Sequence, residues 1–272
     1  MTILQTDPAR SAGQPPSLFA LTKAHTTAQI REQLRIPIAV ISSAIFPTMT
    51  FLFFILPQES ITDNPFAVLM ALAQLAMFGV LSAFLFGYGI GVAEDRANPW
   101  TTYLRTLPVG ALPPTVARAV TAMLFSFIAL LPLFLIGALL TRAFEPFTDG
   151  SLPWWRIPAT IVVLLLAGLP FLFLGLTIGY LCTSKVAIAV VQVVFFPLAF
   201  VGGMLLPPMM FPGWLNVISL VTPTRAARDL SVEVLSGSGM HVSTLPVLLA
   251  WTLVFGVLAL WANKRDQGRR FR

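Results

Sequence analysis

Glu94-Asp95-Arg96-Ala97-Asn98-Pro99-Trp100-Thr101-Thr102-Tyr103-Leu104-Arg105-Thr106-Leu107-Pro108 is a short polar island in an otherwise apolar chain. Taken as a helix, it places Trp100, Tyr103, Leu104 and Leu107 at i, i+3, i+4 and i+7, which is one face. Thr101, Thr102, Arg105 and Thr106 fall elsewhere on its surface. Asn98 carries a side-chain oxygen that can accept from the free amides of a first turn. Pro99 suits the first helical position, where a missing N–H costs nothing. Pro108 ends the helix. So short an amphipathic helix does not persist alone in water. It needs a surface to lie on, and the flanking sequence says which.

The chain is 57% hydrophobic and 10% charged, against the roughly 25% charged residues of a soluble domain. Its charges sit in a few clusters between long apolar runs, the pattern of an integral membrane protein. The net charge of +6 does not signal nucleic acid, because the basic residues flank hydrophobic spans instead of forming a patch on a folded surface. A single cysteine, Cys182, excludes an intramolecular disulfide framework and a cysteine-rich metal site. Neither histidine, His25 or His241, lies in an apolar run. Residues 1–17 are polar, with no apolar core of a signal peptide, and are expected to form a disordered cytoplasmic tail.

The rest of the chain, residues 18–272, reads as one all-α polytopic membrane domain. Leu18 to Arg35 mixes Leu18, Leu21, Ile30 and Leu34 with Lys23, Arg31 and Arg35, as a helix lying in the headgroup layer would; a soluble helical stub is the alternative. Six apolar stretches follow, at 36–56, 66–92, 115–140, 157–181, 186–206 and 242–262, each near the roughly 20 residues that cross a bilayer. Pro47, Pro132, Pro170 and Pro197 lie inside four of them, which membrane helices tolerate. Gly87, Gly89 and Gly91 are expected to thin one face of the second span. Gly175 and Gly179 form a G-x-x-x-G in the fourth, which allows close helix approach.

Lys and Arg on alternate loops set the orientation. With the N-terminus inside, thirteen basic residues fall on the cytoplasmic side and four (Arg142, Arg156, Arg225, Arg228) outside. Both termini are therefore expected in the cytoplasm, in a plasma (inner) membrane, with residues 94–108 on the same side. Pro207 to His241 is too long for a turn and too rich in proline and glycine for a span. It reads as two short re-entrant or capping helices, at 214–221 and 224–235, before the last span.

No Asp, Glu, Lys or His lies centrally in a predicted span, which disfavours an ion-coupled carrier. There is no H-E-x-x-H pair for zinc, no histidine placed to activate a serine, and no G-x-x-x-x-G-K-[ST] to cradle ATP phosphates. Energy, if used, comes from a partner.

The order of these features resembles the type-2 permease family of ATP-binding-cassette (ABC) exporters. The resemblance rests on Glu94-Asp95-Arg96 followed by Tyr103-Leu104-Arg105-Thr106-Leu107-Pro108 after the second span. It rests also on Phe200-Val201-Gly202-Gly203-Met204, Pro207, Pro212-Gly213-Trp214-Leu215 and Val221-Thr222-Pro223 ahead of the last span. It covers the chain from about residue 18 onward.

The resemblance implies that residues 99–107 are a coupling helix seated in a groove of a cytoplasmic ABC ATPase. Trp100, Tyr103, Leu104 and Leu107 would be its anchors and Pro108 its stop. Glu94, Asp95 and Arg96 would position the loop near the membrane. Lying on lipid headgroups is the competing use of the same face. The family pattern implies two ATPase copies, which carry ATP and Mg, and a second permease protomer, identical or not. It implies no cofactor on this chain, which would be a transporter subunit and not an enzyme. Spans two and five would line the path for an amphipathic or hydrophobic cargo moved outward, through Phe78, Phe84, Phe86, Tyr88, Gln192, Phe195 and Phe196. Arg225, Arg228, Asp229 and Glu233 would form either an outer gate or ordinary helix-stabilising pairs. A non-transporting scaffold or sensor subunit is the other reading.

Overall fold

The computed structural model describes the backbone over residues 17–35, 37–98 and 112–269, and side chains over 17–35, 44–98 and 116–266. Among the described residues the chain is helical, with no strand. Helix α1 is Leu18–Arg35, α2 is Pro37–Thr50, α3 is Pro65–Ala97 and α4 is Leu112–Leu140. Helix α5 is Arg156–Leu181, α6 is Ser184–Val201, α7 is Gly213–Leu220, α8 is Pro223–Ser236 and α9 is Thr244–Arg269. Five of them (α3, α4, α5, α6 and α9) are long and apolar enough to cross a membrane. Helix α2 is also apolar and runs on as a π-turn through Phe51–Ile55. The chain is thus a multi-pass helical membrane protein.

Local chemistry sets the ends of these helices. Asn64 accepts from the amides of Phe66 (3.1 Å) and Ala67 (3.3 Å) with Pro65 at the first helical position, a cap worth about 1 kcal/mol. Thr222 caps α8 through the Arg225 amide, again ahead of a proline, and Gly237 at φ 68° closes it in the left-handed region. Helix α5 is interrupted at Gly168, so Pro170 falls in the first turn of its second half and not in a helix interior. Pro47, Pro132 and Pro197 do lie inside α2, α4 and α6. Helix α6 stops at Val201, short of the predicted 206, because Gly203 takes φ 74°.

Helix α3 is the centre. Its apolar window is 78% buried, against 28% for α4, 22% for α6 and 17% for α9. Helix α5 lies against it along a glycine stripe. A Cβ at Gly168 would meet the Phe84 ring at 2.5 Å, one at Gly175 the Phe84 carbonyl at 2.8 Å, and one at Gly179 the Tyr88 carbonyl at 2.7 Å. The opposing stretch of α3, Leu85–Ile90, is a π-turn. Gly89 there approaches Val191 of α6, while Gly87 and Gly91 face open space. The expectation that these three glycines share a face is therefore corrected: residues two apart point nearly oppositely on a helix.

Helix α6 adds a seam of Ala187, Val191, Phe195 and Ala199. Helix α8 packs among α3, α5 and α9, and α1 lies along α4 without burying a residue.

Gly175→Val should destabilise the folded chain by about 1–3 kcal/mol, because backbone atoms cannot yield to the new methyls. Gly87→Ala should be neutral or slightly stabilising. Thermal unfolding of the purified variants in detergent checks both; equal midpoints would contradict the stripe.

Candidate functional site

At one end of the bundle, the last turn of α3 carries Asp95 and Arg96 into a network joining four other helices. One Arg96 nitrogen, Nη1, donates to the carbonyls of Gly179 (2.7 Å) and Cys182 (3.1 Å) at the C-terminus of α5. Unpaired carbonyls and the helix dipole favour a cation there. The other, Nη2, pairs with buried Asp266 of α9 at 2.5 Å. Arg118 of α4 pairs with Asp95, and its carbonyl accepts from the Tyr88 hydroxyl. Ser184, at the start of α6, donates to the Ala93 carbonyl at 3.2 Å. Glu94 is exposed. Asn98 then ends α3 in an extended conformation, φ −78° and ψ 124°. Trp100, Tyr103, Leu104, Leu107 and Pro108 lie outside the described residues.

At the other end, α8 brings charge inside the bundle. Arg228 and Asp229 are each 7% exposed. Asp229 is gripped from both sides, by Arg225 Nε at 2.6 Å and Arg228 Nη1 at 2.8 Å. Arg228 also donates to Gln74 Oε1 on α3 (3.0 and 3.3 Å), and Gln74 Nε2 donates to the Met204 carbonyl at 3.2 Å. Arg225 Nη1 reaches Asn216 and Ser219 of α7. Glu233 stands apart: its carboxylate accepts from the Gly239 amide. Arg156 of α5 donates to the carbonyls of Glu233 (2.8 Å) and Val234 (3.0 Å), near the C-terminus of α8.

The aromatic residues expected to act together divide into two groups. Phe78, Phe86, Phe195 and Phe196 form a ring cluster between α3 and α6, with Phe78, Phe86 and Phe196 each 5.2–5.3 Å from Phe195. Gln192 and Phe196 face outward on α6. Phe84 and Tyr88 are buried on the α5 side, over the glycine stripe. Sequence reasoning passed over Asp266, Arg118, Gln74 and Arg156 as site residues. The available signals were a lone acid among the basic residues at 264–270 and a lone amide in an apolar helix.

A bundle of long apolar helices, with its charges gathered into clusters toward its ends, defines a multi-pass helical membrane protein. The family model described as ABC-2 type transporter matches residues 20–235, and the chain belongs to that family. It is also similar to a Bacillus subtilis (strain 168) protein named "Putative transport permease YvfS", with 22% identity over 242 residues covering 88% of this chain and 96% of that one.

Arg96→Met should cost about 3–5 kcal/mol of stability by breaking the ion pair to buried Asp266 together with the two bonds to α5 carbonyls, and Arg96→Lys should lose less. Chemical unfolding of the two variants checks this. An Arg96→Met variant as stable as the parent would remove Arg96 from its assigned role.

Proposed function

We propose that this chain is the membrane permease subunit of an ATP-driven ABC exporter that moves an amphipathic or hydrophobic cargo outward. ATP and Mg are handled by a separate cytoplasmic ATPase, two copies of which bind a pair of permeases. The reading includes six spans, with α2 as the first, and both termini in the cytoplasm of a cell with a plasma (inner) membrane. Residues 99–107 are its coupling helix.

The observation that carries this proposal is the network immediately before that segment. Asp95 and Arg96 tie α3 to α4, α5 and α9 within one turn of Asn98. A displacement applied to residues 99–107 is then delivered to four helices as a unit. Asn98 enters the segment in the backbone region an N-cap uses, as a residue before proline must. Outward-facing Val186, Ile188, Val193 and Phe196 on α6 leave an apolar surface for a second permease. Phe78, Phe86, Phe195, Phe196 and Gln192 border the path beside it. Phe84 and Tyr88, interlocked with α5, serve as packing.

The scaffold reading and the ion-coupled carrier both differ from this in what they transport and what drives it. The carrier is the weaker of the two here, because Asp229, the acid buried deepest in α8, is held by two arginines.

Tyr103→Asp and Leu104→Asp should each weaken ATPase association about 30-fold or more, as loss of a buried interface anchor does. Cargo-stimulated turnover should fall with it. Pull-down of the ATPase and ATP-dependent uptake into inverted vesicles, with ion gradients dissipated, provide the readouts. Unchanged association refutes the coupling role; association without uptake favours the scaffold; uptake abolished by the uncoupler favours the carrier.

A further inference from the structure

The end of the bundle opposite Arg96 contains a cavity of about 280 Å³, roofed by the α8–α9 loop. Its floor is the Arg225–Asp229–Arg228 cluster, and Met70, Leu220 and Val232 supply apolar wall. His241 and Ser238 stand at its rim. The charge count there does not close. Two guanidiniums share one carboxylate, leaving one positive charge in excess among side chains that are largely buried. Glu233, the next acid on α8, does not line the cavity; Gly239 holds its carboxylate. A buried charge in excess is costly unless a counter-charge or strong acceptors reach it. The cavity gives such a group access to the arginine side, beside an apolar wall. Its size is slightly below the range of pockets that enclose whole drug-like molecules, so it suits a headgroup and not an entire cargo.

We propose that this cavity binds one oxyanion, a phosphate group, with any attached apolar body lying along Met70, Leu220 and Val232. Arg225 is the recognising residue: its Nε and Nη1 are engaged by Asp229, Asn216 and Ser219, which leaves Nη2 to donate, whereas all three nitrogens of Arg228 already donate to Asp229 and Gln74. The same chemistry is offered by free phosphate and by the headgroup of an anionic phospholipid. The site requires neither the ATPase nor cargo movement, so its failure would leave the permease reading intact.

The test uses the purified full-length permease. Its unfolding midpoint is measured with inorganic phosphate against chloride at equal ionic strength, and in nanodiscs of phosphatidylglycerol against phosphatidylcholine. Bound phosphate is counted separately by equilibrium dialysis. At saturation the midpoint should rise by about 2–4 °C. Arg225→Gln should lose the rise and Arg225→Lys should keep most of it. Ser238→Trp, an exposed rim change that leaves every charge in place, should block it and provides the test should Arg225→Gln not fold. A rise with inorganic phosphate identifies a soluble anion as occupant, and a rise confined to phosphatidylglycerol identifies a lipid headgroup; either supports the site. No rise with either probe, or an equal rise in Arg225→Gln or Ser238→Trp, overturns it.

Discussion

The contact on which the molecule depends is the close approach of two backbones, α3 and α5, at Gly175 and Gly179, with Gly168 making room for the Phe84 ring. Inside a bilayer, apolar surface gains little by leaving lipid for protein, so helices associate through van der Waals packing and a few polar contacts. Packing of that kind falls off steeply with distance, and only residues without a side chain let carbonyls and Cα atoms meet. The stripe on α5 accepts the π-turn of α3 just where that helix bulges. Helix α3 is thereby fixed at the centre, and the two polar clusters at its ends are held in register. Gln74 and Arg96 are 22 positions apart along it, roughly 33 Å at helical rise.

Charge is costly at such depth, and the chain meets it with ion pairs and with hydrogen bonds to carbonyl and amide oxygens. Arg96 serves two carbonyls and one carboxylate; Asp95 takes Arg118; Asp229 takes both Arg225 and Arg228. Arg96–Asp266 and Asp95–Arg118 join different helices, and Arg228, paired within α8, also ties α8 to α3 through Gln74, so the same bonds that relieve desolvation also link helices to one another. The cluster on α8 is notable for its route inward. No span carries it; a helix of 14 residues with proline at its start brings it in. An interior empty of ionisable groups holds for the spans but not for the bundle.

How much of this was legible in the sequence depended on whether the signal was local. Five of the expected spans coincide with long apolar helices, and the two short helices ahead of the last span fall within two residues of their expected ends. Gly175 and Gly179 were readable because four-residue spacing puts both on one face. Gly87, Gly89 and Gly91 were misread because composition was mistaken for phase. An Asn-Pro cap is formed at Asn64–Pro65, whereas the one expected at 98–99 runs into residues outside the described chain. The Arg225–Asp229 pair was local and legible; Arg96–Asp266 spans 170 positions, and nothing in either neighbourhood names the other. Phe84 and Phe86 look alike in sequence, yet two positions along a helix point nearly oppositely, which sends one to α5 and the other to α6. The apolar face of residues 99–107 lies beyond the described chain, so its role rests on the sequence and on the family.

The same contacts say where the bundle can open. Parting α5 from α3 would withdraw backbone from backbone at Gly175 and Gly179 and break both Arg96 bonds to α5 carbonyls. Parting α6 from α3 breaks much less. Helix α6 is pinned near its ends, by Ser184 to the Ala93 carbonyl and by the Met204 carbonyl to Gln74. Between those pins it touches α3 through Val191 on Gly89 and through the rings of Phe195, Phe78 and Phe86. Ring pairs contribute about 0.5–1.5 kcal/mol each beyond their area and survive small rotations. Helix α3 is therefore held more firmly to α5 than to α6, and of these two boundaries the aromatic seam against α6 is the one that costs less to part.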